Sequence, residues 1–120
     1  MAQKIASQSA EVAKKAVEAA LDKQALDILM LDIRNICYFA DYFVICSADS
    51  ERQISAICEE IDSSLSGEGI KLYHREGSEE SGWVLLDFGS VVVHVFSPTQ
   101  REYYDIEKLW GEETTVVRIL

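Results

Sequence analysis

Two runs of β-forming residues, Trp83-Val84-Leu85-Leu86-Asp87-Phe88 and Val91-Val92-Val93-His94-Val95-Phe96, stand on either side of the dipeptide Gly89-Ser90. A two-residue link between such runs closes an antiparallel hairpin, here with a type II′ turn, which wants Gly at its first central position. The turn sets the register, so Phe88 faces Val91, Leu86 faces Val93 and Val84 faces Val95. Side chains alternate along a strand, so the opposite face pairs Asp87 with Val92, Leu85 with His94 and Trp83 with Phe96.

The first of these faces is wholly apolar and belongs on a core. The second mixes aromatic rings with an acid and an imidazole, the composition of a protein-binding patch in which aromatic anchors are set among polar groups. Trp83, Leu85, Asp87, His94 and Phe96 are therefore the candidate partner-binding residues. The competing reading is that the first helix or the C-terminal residues cover this face, with His94 a satisfied core histidine.

Around the hairpin the chain reads as one unit. With 120 residues and 48% hydrophobic positions it can build one compact core and is too short for two ordinary domains. Residues 1–8 are expected to form a flexible start and residues 112–120 a C-terminal tail. Residues 9–24 place apolar side chains at helical spacing: Val12 or Ala13, Ala16, Val17, Ala20 and Leu21. Residues 25–32 are a short, almost wholly apolar run suited to a strand buried on both faces, and residues 41–47 read as a second strand. Ser50-Glu51-Arg52-Gln53 has the form of a capping box, and Ile54, Ile57, Cys58, Ile61 and Leu65 mark one buried stripe of the helix it starts. A third strand is expected at 70–75, a polar loop at 76–82, and a last helix from a Ser97 cap through Trp110. This order gives an α/β (α+β) domain, a mixed sheet of about five strands flanked by helices.

Charge narrows the partners. The formal net charge is −10; residues 1–25 hold four Lys against Glu11, Glu18 and Asp22, so the remaining 95 residues carry −11. Such a body repels a phosphate backbone, because nucleic-acid binders need Lys and Arg to displace counterions. Direct binding of nucleic acid is not expected, whereas a basic protein partner is. Cys37, Cys46 and Cys58 form no Cys-x-x-Cys pair and have no matching His spacing, so no metal site is expected. An odd number of thiols among apolar residues fits a reducing compartment, the cytoplasm. No stretch approaches the ~20 apolar residues that span a membrane, and residues 1–7 lack the apolar core of a signal peptide, so neither secretion nor insertion is expected.

Read in order, Ala25-Leu26-Asp27-Ile28, Asp41-Tyr42-Phe43-Val44-Ile45, Glu76-Gly77, residues 83–89, residues 91–96, Arg101-Glu102-Tyr103-Tyr104 and Leu109-Trp110 resemble the signature of the ribosomal silencing factor, or Iojap, family. The similarity covers roughly residues 10 to 112 and is most specific from Trp83 to Trp110. It implies a nucleotidyltransferase-like fold without the catalytic carboxylates of those enzymes. It also implies a protein that binds the large ribosomal subunit through a basic ribosomal protein at the subunit interface. Occupying that protein would block joining of the large and small subunits and repress translation when nutrients are scarce. The resemblance places the partner-binding surface on Trp83, Leu85, Asp87, His94 and Phe96. It implies no cofactor and leaves open a homodimer through the same patch.

The alternative is a metal-dependent phosphoryl-transfer enzyme of the nucleotidyltransferase type. That chemistry needs carboxylates clustered on adjacent strands to hold two metal ions. Asp49 with Glu51, Glu60 with Asp62 and Asp105 with Glu107 each lie in or beside an expected helix, where positions i and i+2 point about 200° apart. No P-loop accompanies them. Cys46 and His94 could approach each other across a sheet, yet nothing fixes a base or an oxyanion hole for them. No catalytic residue is assigned.

Overall fold

The computed structural model describes residues 2–120, with side chains from residue 8 onward. In chain order the elements are α1 (Ala2–Asp22), β1 (Leu26–Asp32), β2 (Tyr42–Ser47), α2 (Glu51–Gly67), β3 (His74–Ser78), β4 (Trp83–Asp87), β5 (Val91–Phe96), α3 (Pro98–Tyr104), α4 (Ile106–Trp110) and β6 (Thr115–Ile119). The six strands form one sheet in the order β3-β4-β5-β2-β1-β6. β2 and β5 run parallel, and the other neighbours are antiparallel.

The hairpin adopts the register its turn dictates, with Trp83 opposite Phe96, Leu85 opposite His94 and Leu86 opposite Val93. Gly89 supplies the positive φ (+92°) that the turn requires. Each face of the sheet then gathers its own core. On one side, Val84, Leu86, Val93 and Val95 pack with Ile28, Met30 and Val44 beneath α1 and α2. The buried side of α2 is Ile54, Ile57, Cys58, Ile61 and Leu65, the stripe its periodicity marks. On the other side a smaller cluster forms around Leu29, Leu31, Ile33, Phe43, Ile45, Val92 and Phe96, with Ile106 and Trp110 of α4 packed against it. β1, β2 and β5 are buried on both faces because they lie in the middle of the sheet.

Several expectations are corrected. The sheet has six strands where about five were expected, because residues 115–119 of the expected tail pair with β1. The N-terminal helix begins at Ala2, not near residue 9; Met1 of the expected flexible start lies outside the described residues. The third strand is His74–Ser78, not 70–75. Ile70 and Leu72 pack on the core as irregular chain, while the wholly exposed β3 is held by its backbone ladder to β4. Gly77, assigned to a loop, lies in that strand at φ +81°, where a Cβ would collide with the Trp83 carbonyl oxygen. Only half of the capping box forms. Gln53 N–H donates to Ser50 Oγ (3.1 Å), but the Gln53 amide turns to the carbonyls of Lys23 (3.2 Å) and Gln24 (3.1 Å), tying α2 to the end of α1. The last helix is two, broken where Asp105 adopts the left-handed conformation (φ +44°, ψ +49°).

Candidate functional site

Trp83 is the hub of the second face. Its ring stacks on Phe96 with centroids 4.9 Å apart and meets Tyr104 of α3 at 4.5 Å. Its indole N–H donates to His94 Nδ1 at 3.2 Å. An indole nitrogen can only donate, so Nδ1 must accept, which puts the imidazole proton on Nε2. Burial pushes the His94 imidazole down to about 4 from its ordinary value of 6.5. His94 Nε2 is buried without a hydrogen-bond partner.

The aromatic network continues across the sheet. His94 packs on Phe43 at 4.7 Å, Phe43 meets Trp110 at 5.4 Å and Phe39 at 6.5 Å, and Phe39 meets Tyr38 at 5.8 Å. The outer members are open to solvent: Tyr38 is 100% exposed, Leu109 79% and Phe39 59%. Sequence reasoning did not assign Tyr38, Phe39, Phe43, Tyr104 or Trp110 to the site. The signal for Tyr38-Phe39 was present, since a short loop between strands has no structural need of two adjacent aromatic residues.

The five residues named from the register do come together on one face, but at different depths. Trp83, Leu85 and Asp87 are half-buried and reach the surface, whereas His94 is 4% and Phe96 0% exposed. The picture of one open patch is therefore corrected for His94 and Phe96. The C-terminal chain, with α4 packed on this cluster and Tyr104 of α3 on Trp83, makes a second core layer there. His94 is a core histidine that serves as acceptor for Trp83 and keeps one N–H unpaired.

The residues weighed for catalysis are dispersed. Cys46 lies beside Val95 and faces α2, while His94 lies beside Ile45 on the opposite face, so the sheet separates them. Burial pushes the thiols of Cys46 and Cys58 up to about 12, which leaves neither as a thiolate at neutral pH. Glu107 is held by Arg101, Asp49 precedes α2, and Glu60 and Asp62 lie along it. Among the described residues no group of three or more His, Cys, Asp or Glu could hold a metal ion, and no helix is long and apolar enough to cross a membrane.

His94 gives the fold a defined acid sensitivity. Its folded-state value lies below its unfolded one, so the unfolded chain takes up the proton first as the pH falls. Stability is full above about pH 6.5 and is lost down to about pH 4, by roughly 3 kcal/mol. In urea titrations across this window, wild type should lose clearly more stability than His94→Gln; parallel losses would exclude His94 as the cause.

Over residues 6–119 the chain matches the family described as "Ribosomal silencing factor during starvation". It is 48% identical over 101 residues to the ribosomal silencing factor RsfS of Bacillus subtilis, covering 84% of this chain and 86% of that one. A more distant relative, 31% identical over 99 residues, is the mouse protein named "Mitochondrial assembly of ribosomal large subunit protein 1", of which 40% is matched by 73% of this chain. A crystal structure of a Chromobacterium violaceum protein superposes with a TM-score of 0.81 at 38% identity, covering 89% of this chain and 91% of that one.

Proposed function

The chain belongs to the ribosomal silencing factor family, and on that premise we propose that it binds the large ribosomal subunit and blocks its joining with the small subunit. It does so through a basic ribosomal protein at the subunit interface, and the effect is to repress translation in the cytoplasm. The observation that carries this reading is the aromatic face, which runs from Tyr38 and Phe39 to Trp83 and Tyr104 on a chain of net charge −10. Exposed apolar surface of this extent is a liability unless something covers it, and aromatic anchors among acids suit a basic protein. The mouse relative's name supports the choice of the large subunit.

In this reading Trp83, Leu85 and Asp87 touch the partner, and His94 and Phe96 act from below by fixing the Trp83 ring. The protein works by occupancy, needs no cofactor and makes no contact with nucleic acid. A homodimer formed through the same face would compete with the ribosome.

The test is sedimentation with purified ribosomal subunits, followed by a subunit-joining assay. The protein should pellet with large subunits and not with small ones, and saturating protein should suppress formation of joined ribosomes. Equal recovery with both subunits, or undiminished joining, would refute the reading.

A further inference from the structure

Beside the aromatic face, between the β3–β4 hairpin and α3, lies a cleft of about 300 Å³ lined by Glu76, Trp83, Leu85, Gln100 and Tyr104 among others. Its chemistry follows from the sheet register. Glu76 is paired with Leu85, so its carboxylate stands on the same face as Leu85 and Trp83, and Asp87 projects from that face one pair further along. Arg75 points to the opposite face, where it is held by Glu79 at 3.0 Å. The fixed charges that β3 and β4 present on this face are thus both negative. The one other titratable group they place there is His74, whose Nε2 lies 2.8 Å from Glu76 Oε1.

We propose that this cleft receives one lysine or arginine side chain of the protein partner, with its stem on Leu85 and Trp83 and its charged head at Glu76. The inference rests on the ribosome-binding reading and adds to it the group that the partner must present. Long basic side chains lay their methylenes on apolar surface while the head reaches a carboxylate, which is the layout of this cleft. The rings of Trp83 and Tyr104 can add cation–π attraction, and Gln100, which also lines the cleft, brings no opposing charge. A phosphate or a carboxylate in the same place would face Glu76 and a strongly acidic chain, so the cleft rejects an RNA backbone and favours protein.

Glu76 is exposed in the free protein, so an ion pair formed there gains strength only when the partner closes over it. The test compares full-length wild type, Glu76→Gln, Trp83→Ala and Glu59→Gln for binding to purified large subunits at several salt concentrations. Each variant is first checked for an unchanged fold by circular dichroism. Glu76→Gln should weaken binding about tenfold and flatten its salt dependence. Glu59→Gln removes the same charge from an exposed position on α2, across the sheet, and should change neither. If Glu76→Gln binds as wild type does while Trp83→Ala is impaired, the cation site is overturned and the ribosome reading stands. Equal weakening by Glu59→Gln would reduce the effect to net charge and also overturn it. Failure of wild type to bind large subunits at all removes the premise of both.

Discussion

Arg101→Ala is expected to lower the free energy of unfolding by about 3–5 kcal/mol, the usual scale for removing one partner from a buried ionic cluster. Arg101 is 7% exposed and ties four parts of the fold together. Its Nη1 donates to the Asp27 carbonyl at 2.6 Å and to Ser47 Oγ at 2.8 Å, while Nε and Nη2 form a fork onto the Glu107 carboxylate at 3.2 and 2.8 Å. The β1 irregularity at Asp27 (φ +43°), the end of β2, and helices α3 and α4 therefore share one guanidinium. Alanine would strand Glu107 and leave two acceptors unpaired. Arg101→Lys keeps the charge without the planar fork and should fall between wild type and Ala. In a Glu107→Ala background the cost of Arg101→Ala should shrink, because the stranded carboxylate is gone. Urea unfolding measures all of these; a loss below about 1 kcal/mol for Arg101→Ala would show that the cluster is stabilised by something else.

Leu86→Ala and Trp83→Ala should separate stability from binding. Leu86 is 1% exposed beneath α1 and α2, so truncating it should cost about 2–5 kcal/mol of stability. Trp83 projects from the other face and is half-buried; its truncation should weaken partner binding by on the order of 2 kcal/mol or more while the domain stays folded. The stacking on Phe96 and the bond to His94 mean that Trp83→Ala also carries a stability cost, but a smaller one than Leu86→Ala. Thermal unfolding and binding to large subunits distinguish the two. If Trp83→Ala unfolds as readily as Leu86→Ala, Trp83 is a core residue; if it folds and binds normally, the partner surface lies elsewhere.

What the chain disclosed in advance follows from what is local. The hairpin register, the α2 stripe, the doubly buried β1 and the presence of β2 could be read because turn chemistry and periodicity act over a few residues. The exposed β3 could not, since no burial pattern marks a strand held by backbone pairing alone. β6 was missed because the sequence Thr-Val-Val-Arg-Ile is a strand only if an edge is free to receive it, here that of β1. The same limit applied to the site. Alternation placed five side chains on one face, but only tertiary contacts decide that Trp110 comes down on Phe43 and that His94 is sealed. The role of Arg101 could not be read in advance either, for its partners Asp27 and Ser47 are remote in the chain.

The parallel pairing of β2 with β5 divides the molecule in time as well as in space. From Tyr42 against Val91 to Ser47 against Phe96, each pair is separated by 49 positions, whereas β1 with β2 and β4 with β5 are neighbours in the chain. Loop-closure entropy favours the two near-neighbour pairs over the seam between them, which closes a longer stretch of chain. Phe43 on one side of that seam and His94 on the other belong to the same aromatic face. A chain in which this seam has not closed therefore lacks the complete aromatic face, however well its two hairpins are formed.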